Sequence, residues 1–591
     1  MKSLPILALA LVGCLDVPKP AQGMCKATSD CASGEVCQEN VCWGDPPAGM
    51  FAATLGPPSD RTDLVATELP ALMIPSDGWL GMLAMPSPVT LSGRVEAFCS
   101  TGQTTCDATS IGATITVTRA SLFAGGPGVH AVVTAKDGIP GGTDSFSTRL
   151  PAGHAGEPPY VVTVMPDGRG DQPPSSGTSP AMIAPPLRLT VDGLSDTHLP
   201  LTLGSASSPT VQGSLSDGQL TPHPLAKYRV VALGRWDATS PLSEVSTVAY
   251  VGAVQPSNGT FALTIADGVT GPVEIVATPY DPNVVAPTLY LPNVSPGDAQ
   301  NVLTQPAALG NRVDLSIPIQ GLAGDGSIQP VSGARVIVTG RLDPALGTHA
   351  VLSAEATTSG DGIAHVSVLD GEALNGSYKL RVVPPASSPL AAIYDQPLEL
   401  ATAGVPVRLA PRLALRGSVV DSTGAPVSNV SVTVRPSLSF VWALDDDAQQ
   451  FLAEIPAATA VTPDNGGFVV WVDPFIGTVW GAYDLTLEPP ATSPAPTWTR
   501  TGIQMPRAPN QMSLAIDQVM IPEAAHLHGE ITDSSGTDVI GGELRIFQIQ
   551  SDLTVCAQAA NPPATCVPPA IPMGSGTSDS LGIVRLTLPR P

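Results

Sequence analysis

The chain has 591 residues, 43% hydrophobic and only 13% charged, with 63 prolines and 58 glycines. At roughly 100–150 residues per domain, that length requires several cores rather than one. A net charge of −24 repels phosphate backbones and anionic headgroups, which excludes nucleic acid and charge-driven membrane binding as main functions. In chain order, the first element is a short basic start, Met1-Lys2-Ser3, followed by an apolar run from Leu4 to Val12 and the pair Gly13-Cys14. This is a secretory signal, too short to span a bilayer.

Eight cysteines follow Cys14: Cys25, Cys31, Cys37, Cys42, Cys99, Cys106, Cys556 and Cys566. An even number in local clusters, in an exported chain, reads as disulfides. Cys99 with Cys106, and Cys556 with Cys566, are each expected to pair within one loop. The first four are spaced C-x5-C-x5-C-x4-C. That spacing lacks the paired C-x2-C knuckles of a zinc site, and it leaves three pairings open. Residues 43–85 are Pro-rich and read as a connector.

From there the chain repeats. A segment of form apolar-x-Gly-x-apolar recurs as Leu91-Gly93-Val95, Val211-Gly213-Leu215, Ile319-Gly321-Ala323, Leu415-Gly417-Val419 and Leu527-Gly529-Ile531. Each is followed by a turn and a second alternating strand, most clearly Asp421-Ser422-Thr423-Gly424-Ala425-Pro426-Val427 and then Val430 to Val434. Later in each unit a Gly-containing turn leads into a strand, as at Asn465-Gly466-Gly467-Phe468, Asn258-Gly259-Thr260-Phe261 and Asp361-Gly362-Ile363. A strand ending in proline comes next: Tyr160 to Pro166, Tyr378 to Pro384 and Tyr483 to Pro489, with Val273 to Ala277 at the same place in unit two. Unit five has no such strand after Gly582 to Pro589, so it is either a trimmed cap or borrows an edge. The best helical candidate is an acidic insertion in unit four, Asp445 to Ala457.

Three resemblances add to this reading. Leu11-Val12-Gly13-Cys14 resembles the lipobox of bacterial lipoproteins. It implies loss of residues 1–13 and a lipid on Cys14, and Leu15 in place of the retention aspartate implies the outer membrane. Acylation of that kind anchors stably. The four-cysteine segment resembles the small module that follows the anchor in many lipoproteins of high-GC Gram-negative bacteria. The motif Gly-x-Val…Asp-x-x-Gly-x-Pro-Val…Gly-x-Phe…Gly-x-Tyr-x-Leu resembles the carboxypeptidase regulatory-like, or transthyretin-like, β-sandwich. Unit four carries it through Gly417, Gly424, Pro426, Val427, Gly467, Phe468, Tyr483 and Leu485, and unit three through Gly321, Pro330-Val331, Gly362 and Tyr378. The other units match in outline.

Chemistry-bearing motifs are few. His154-Ala155-Gly156-Glu157 repeats the His-x-x-Glu of zinc carboxypeptidases but sits in a Gly/Pro-rich loop. His526, His528 and Glu530 share one strand face; they are either an ion site or a solvated face. Asp445-Asp446-Asp447 reads as a solvated acidic loop rather than a calcium loop, whose carboxylates alternate. Arg169-Gly170-Asp171 reads as a flexible loop. Trp442, Trp471, Trp480 and Trp498, with Phe440, Phe468, Phe475 and Tyr483, are expected to fill the core of unit four; a sugar-binding platform is the alternative. No nucleophile elbow, phosphate loop or nucleotide fingerprint occurs.

The expected protein is all-β: a tandem array of Ig-like or transthyretin-like β-sandwich domains after a small disulfide-rich module. Its parts are a signal (1–13), a tether (14–24), the cysteine module (25–42), the connector (43–85) and sandwiches at 86–205, 206–317, 318–411, 412–522 and 523–591. Laid end to end, five such modules reach on the order of 150 Å. The expected role is non-enzymatic, without metal or cofactor. It is that of a stalk, adhesive or scaffolding element, held to the outer membrane at Cys14 and periplasmic or surface-exposed, with an envelope protein or polysaccharide as partner and no nucleic acid. The rivals are a carbohydrate- or peptidoglycan-binding lipoprotein, a metal-dependent hydrolase, and a subunit that bridges partners in a secretion or surface-polymer complex.

Overall fold

The computed structural model describes residues 25–31, 35–38, 41–44, 46–47, 49–98, 112–123, 126–135, 145–169, 184–205, 207–216, 227–237, 242–251, 260–280, 288–296, 303–304, 312–322, 327–341, 351–371, 374, 376–385, 388–490, 493–506, 512–549 and 570–590. Strands dominate, and they stack as pairs of small sheets. Sandwich four shows the plan most completely. Its first strand, Leu413–Val420, lies between Gly467–Val472, antiparallel, and Ser513–Met520, parallel. The facing sheet runs Ala458–Val461, Ser431–Pro436, Ala482–Glu488, Trp498–Gln504, all antiparallel. Period-two alternation sends Leu415, Val419, Val432, Val434, Phe468, Val470, Leu485 and Leu487 into one buried core between the sheets.

Sandwiches one to three repeat this arrangement. In each, a central glycine-bearing strand pairs antiparallel on one side and parallel with the unit's last strand on the other. Val89–Ala97 lies between Ser145–Leu150 and Thr197–Leu203. Thr210–Ser216 lies between Thr260–Thr264 and Leu303–Thr304. Arg312–Leu322 lies between Ile363–Leu369 and Val407–Leu409. Register explains why the glycine and the phenylalanine recur together. Gly93 sits opposite Phe146, Gly213 opposite Phe261 and Gly417 opposite Phe468. A Cβ on Gly417 would lie 2.8 Å from the Phe468 ring, so the glycine leaves room for the aromatic across the ladder.

The recurring tyrosine also has one physical job. Tyr160, Tyr378 and Tyr483 each donate a hydrogen bond to a backbone carbonyl nine or ten residues upstream: Pro151 (2.6 Å), Leu369 (2.7 Å) and Asp473 (2.6 Å). Each is buried, and burial pushes the phenols of Tyr160 and Tyr378 up to about 12. They are neutral donors at any ordinary pH. Unit two places Val273, fully buried, where the hydroxyl is absent.

Sandwich five corrects the expected domain layout. Its first four strands are Ala524–Asp533, Glu543–Ile549, Ala570–Thr577 and Ile583–Pro589. The other three come from the N-terminal side of the chain. Met50–Gly56 pairs antiparallel with Glu543–Ile549, Thr67–Leu72 pairs with Met50–Gly56, and Trp79–Met85 runs parallel to Ala524–Asp533. These are the places that Ala482–Glu488, Trp498–Gln504 and Ser513–Met520 hold in sandwich four. Residues 50–85 are therefore not a connector. Phe51, Leu55, Leu80, Leu83 and Met85 share one core with Leu527, Ile531, Leu544, Ile546 and Leu586.

This pairing also replaces the open row of modules. Trp79–Met85 leads into sandwich one across residues 86–88, and Ser513–Met520 leads from sandwich four into Ala524–Asp533 across 521–523. Both ends of the series one to four are thus fixed to sandwich five, and the five units form a closed circuit.

Every junction of that circuit is packed. Between five and one, the buried Glu68 carboxylate accepts from Ser121 Oγ (2.7 Å), Leu122 N (2.8 Å) and Gly128 N (2.9 Å). Between two and three, the buried apolar residues form one contiguous cluster. Between three and four, Asp473 accepts from Ala392 N (2.7 Å) and pairs with Arg412 (3.1 Å). Tyr394 packs on Phe451 with ring centres 5.3 Å apart, and Arg335 pairs with Glu454. Between four and five, Trp498–Gln504 lies against Ala570–Thr577.

Candidate functional site

The cysteine module is a hairpin, Glu35–Gln38 with Val41–Gly44, joined by Cys25–Cys37 and Cys31–Cys42. Among the described residues, the one group of three metal-ligating atoms that converges is Cys25, Cys31 and Cys42, and all three sulfurs are spent in disulfides. Cys14, Cys99, Cys106, Cys556 and Cys566 lie outside the described residues.

The face carrying His526, His528 and Glu530 is where that module docks. Leu527, Gly529 and Ile531 point into the core as the alternation requires. On the opposite face the three side chains are half-buried, and aromatic rings lie against the two histidines. Trp43, buried at the end of the module's hairpin, lies 4.3 Å from the His528 ring and 6.3 Å from His526. Trp79, on the strand donated to sandwich five, lies 4.9 Å from His528. His528 is thus flanked by two tryptophans, which corrects the reading of that residue as simply solvated. Backbone meets backbone beside it: a Cβ on Gly78, at φ +75°, would sit 2.8 Å from both Gly44 N and His526 O. Only glycine fits that approach.

The His-x-x-Glu pair is a loop clasp. Glu157 Oε2 accepts from Arg119 Nη1 (3.0 Å) and from the His154 backbone N (3.1 Å). Arg119 is buried and stacks over Tyr160 at 4.7 Å, so the carboxylate holds a guanidinium in place. His154 itself is exposed.

Arg169 corrects a second expectation. Its side chain is 6% exposed and pairs with Glu244 at 2.8 Å, while Arg229 pairs with the same carboxylate at 2.7 Å. Burial pulls the Arg169 guanidinium down from its ordinary value. The residue locks sandwich one to sandwich two, and Arg229 Nη2 also donates to the Arg169 carbonyl (3.2 Å). Gly170 and Asp171 lie outside the described residues.

The acidic insertion is helical over Asp446–Ala453, and a short helix, Leu438–Trp442, precedes it. Asp445 is the N-cap of the second helix, accepting from Ala448 N (2.8 Å) and from Tyr394 Oη (3.2 Å). The expected loop carboxylate is a cap.

The aromatics of sandwich four divide into two sets. Phe440, Phe468 and Tyr483 are core. Of the tryptophans, Trp498 packs half-buried against that core; Trp442 and Trp480 are half-buried, and Trp471 and Phe475 are 39% and 40% exposed. Phe475 and Trp480 close a two-residue hairpin with rings 5.4 Å apart. Beside Trp471 lies a cavity of about 20 Å³ lined by Arg412, Asp473, Tyr483 and Leu452. That is room for about one water molecule. Arg412 and Asp473 are 6% and 3% exposed, and burial pushes the Asp473 carboxyl up.

The donated strands carry a signal of their own in the sequence. Gly49-Met50-Phe51-Ala52-Ala53-Thr54-Leu55-Gly56-Pro57-Pro58 follows Gly481-Ala482-Tyr483-Asp484-Leu485-Thr486-Leu487-Glu488-Pro489-Pro490 position by position. Phenylalanine replaces the tyrosine, and the segment stands ahead of the first glycine-bearing strand instead of following its own unit's first half.

The fold and these contacts define a closed assembly of Ig-like sandwiches with a disulfide-bonded module docked on the split one. No protein-family model matches the chain, and no curated protein matches it. Among solved structures, the minor pilin GBS52 of Streptococcus agalactiae is 13% identical over 35% of this chain and 95% of its own, with a TM-score of 0.18. A streptococcal ancillary pilin is 9% identical over 53% of this chain and 99% of its own, at 0.17. A 9R-lipoxygenase from Cyanothece is 17% identical over 19% of this chain, which spans 17% of the lipoxygenase, at 0.12. Overlaps at such scores carry no functional argument. Among the described residues, no helix is long and apolar enough to cross a membrane.

Proposed function

We propose that this is a non-enzymatic scaffolding or adhesive element of a bacterial cell envelope, tethered by lipid at Cys14. The observation that carries the reading is how the chemistry-bearing residues are used. His154 and Glu157 close a turn, His528 packs between tryptophans, Asp445 caps a helix, and Arg169, Glu244, Arg412 and Asp473 fix junctions. Each supports the frame, and a frame whose units are all packed against their neighbours is suited to presenting loops in fixed positions. Disulfides in the N-terminal module agree with an oxidising compartment.

The test is made in intact cells. Cys14→Ser is expected to release the protein from the membrane fraction, and retention of the variant there would remove the anchor. Crosslinking with partner identification, together with protease shaving, is expected to recover an envelope protein or polysaccharide. Specific turnover of a substrate by the purified chain would overturn the non-enzymatic reading.

Carbohydrate binding is the second reading, and Trp471 and Phe475 favour it by lying exposed on one sandwich, with the half-buried Trp480 against Phe475. Quenching of tryptophan fluorescence by cell-wall glycan, lost in Trp471→Ala, would establish it. An unchanged spectrum would end it.

A further inference from the structure

We infer that the split sandwich is also a self-association site, whose partner is a second copy of this chain. The inference does not depend on the lipid anchor. Every copy carries both halves of one sandwich. The donor half is residues 50–85, with Phe51, Leu55, Leu80, Leu83 and Met85 turned inward; the acceptor half is residues 524–549 and 570–589, with Leu527, Ile531, Leu544 and Ile546 facing them. Without its donor, the acceptor has two unpaired sheet edges, Glu543–Ile549 and Ala524–Asp533, and an open apolar face. Such edges pair with any strand of matching pattern. The strand that matches best in register and side-chain shape is the donor of another copy.

The layout of the circuit gives the mode of association. The donor half continues into sandwich one through Pro86-Ser87-Pro88 alone and is held on it by Glu68, which bonds Ser121, Leu122 and Gly128. The acceptor half continues from sandwich four. When the seam between the halves parts, its polar ties Arg61–Asp533 (3.1 Å) and Ser87–Ser534 (2.6 Å) break. The donor then stays at one end of the open series and the acceptor at the other. Copies in that state join head to tail, each joint a complete sandwich, and a head-to-tail contact closes into rings or runs on as a filament. Closure within one copy competes and wins when protein is dilute, because the two halves are covalently held near each other.

Full-length variants separate the two halves. Phe51→Asp with Leu55→Asp disables the donor, and Leu544→Asp with Ile546→Asp disables the acceptor. Each variant alone is expected to be a monomer with sandwiches one to four folded. Mixed, the intact acceptor of one takes the intact donor of the other, and light scattering is expected to read a mass twice that of either. A mixture that stays monomeric, with sandwiches one to four still folded by hydrogen exchange, would overturn the inference.

A second measurement covers the case in which the variants aggregate. Unsubstituted chain is refolded from urea, with its disulfides intact, at low and at high concentration, beside a Thr54→Cys, Arg545→Cys variant. Thr54 and Arg545 are cross-strand partners at the seam and face away from the core. Oligomers that grow with concentration in the unsubstituted chain and vanish in the oxidised variant are expected. Oligomers in both, or in neither, would contradict a seam that exchanges.

Discussion

Sandwiches four and five follow one strand plan and draw it from the chain in opposite ways. Four is contiguous over 412–522, so each of its strands finds its neighbours within about a hundred residues of sequence. Five joins Met50–Gly56 to Glu543–Ile549 across nearly the whole polypeptide. Non-local pairing of that kind forms late, because the loop-closure entropy must be met before the contacts repay it. The difference teaches that a repeat can close a series when one unit is divided between its two ends. Sandwich four stands on its own core; sandwich five stands only where a donor half meets an acceptor half.

The comparison can be broken most forcefully in sandwich four. Arg412→Met strands the buried Asp473 carboxylate and is expected to cost about 3–5 kcal/mol, read by urea unfolding. The loss should be local to sandwich four and its junction with three. A cost near zero would mean that Asp473 takes up a proton and sits there comfortably neutral.

In sandwich five, Leu55→Ala removes a fully buried side chain from the seam and is expected to cost about 2–5 kcal/mol. Its signature is the place of the damage. Hydrogen exchange should rise together in 50–85 and in 524–589 while sandwich four keeps its protection. Faster exchange in 50–85 alone would refute a shared core.

Tyr483→Phe leaves the Asp473 carbonyl without its buried donor and is expected to cost about 1–3 kcal/mol. Phe51 holds the equivalent place in sandwich five and has no hydroxyl to lose. Phe51→Tyr should therefore bring no stabilisation in urea unfolding, and a gain would contradict the comparison.

The smallest effect is acid sensitivity at the seam. Hydrogen bonds from the Ser535 side chain and the Thr537 amide, with help from Arg61, bring Asp533 down to about 2. A carboxyl depressed in the folded state adds stability that is complete above its ordinary value near 4 and is lost as pH falls through about 2. Asp533→Asn should flatten the loss of sandwich-five stability over that window and leave sandwich four unaffected. An unchanged acid profile would show that the turn does not couple to the seam.

Much of the fold was readable because its signals are local. Period-two alternation, Asp-x-x-Gly turns and the Gly–Phe and Tyr markers announce strands wherever they fall, and the helical insertion near Asp445 stood out by losing that alternation. The closure was not readable in the same way. A strand's partner is not written in the strand, and the match between Phe51 and Tyr483 becomes visible only once unit boundaries are allowed to wrap from one end of the chain to the other. The site-like motifs misled for a related reason. Arg169-Gly170-Asp171 and His154 to Glu157 look free in sequence, whereas Arg169 and Glu157 are held by Glu244 and Arg119, partners supplied by other strands. The tryptophans of sandwich four look like core by composition, yet Trp471 stands at an outward position of Gly467–Val472.

Small-angle scattering on the lipid-free chain tests closure most directly. Five modules each some 35 Å across in a closed circuit give a largest dimension of about 100 Å, and that is the value expected at low concentration. A largest dimension of about 150 Å or more in a monomer of the same mass would show an open row and contradict the pairing of residues 50–85 with 524–589.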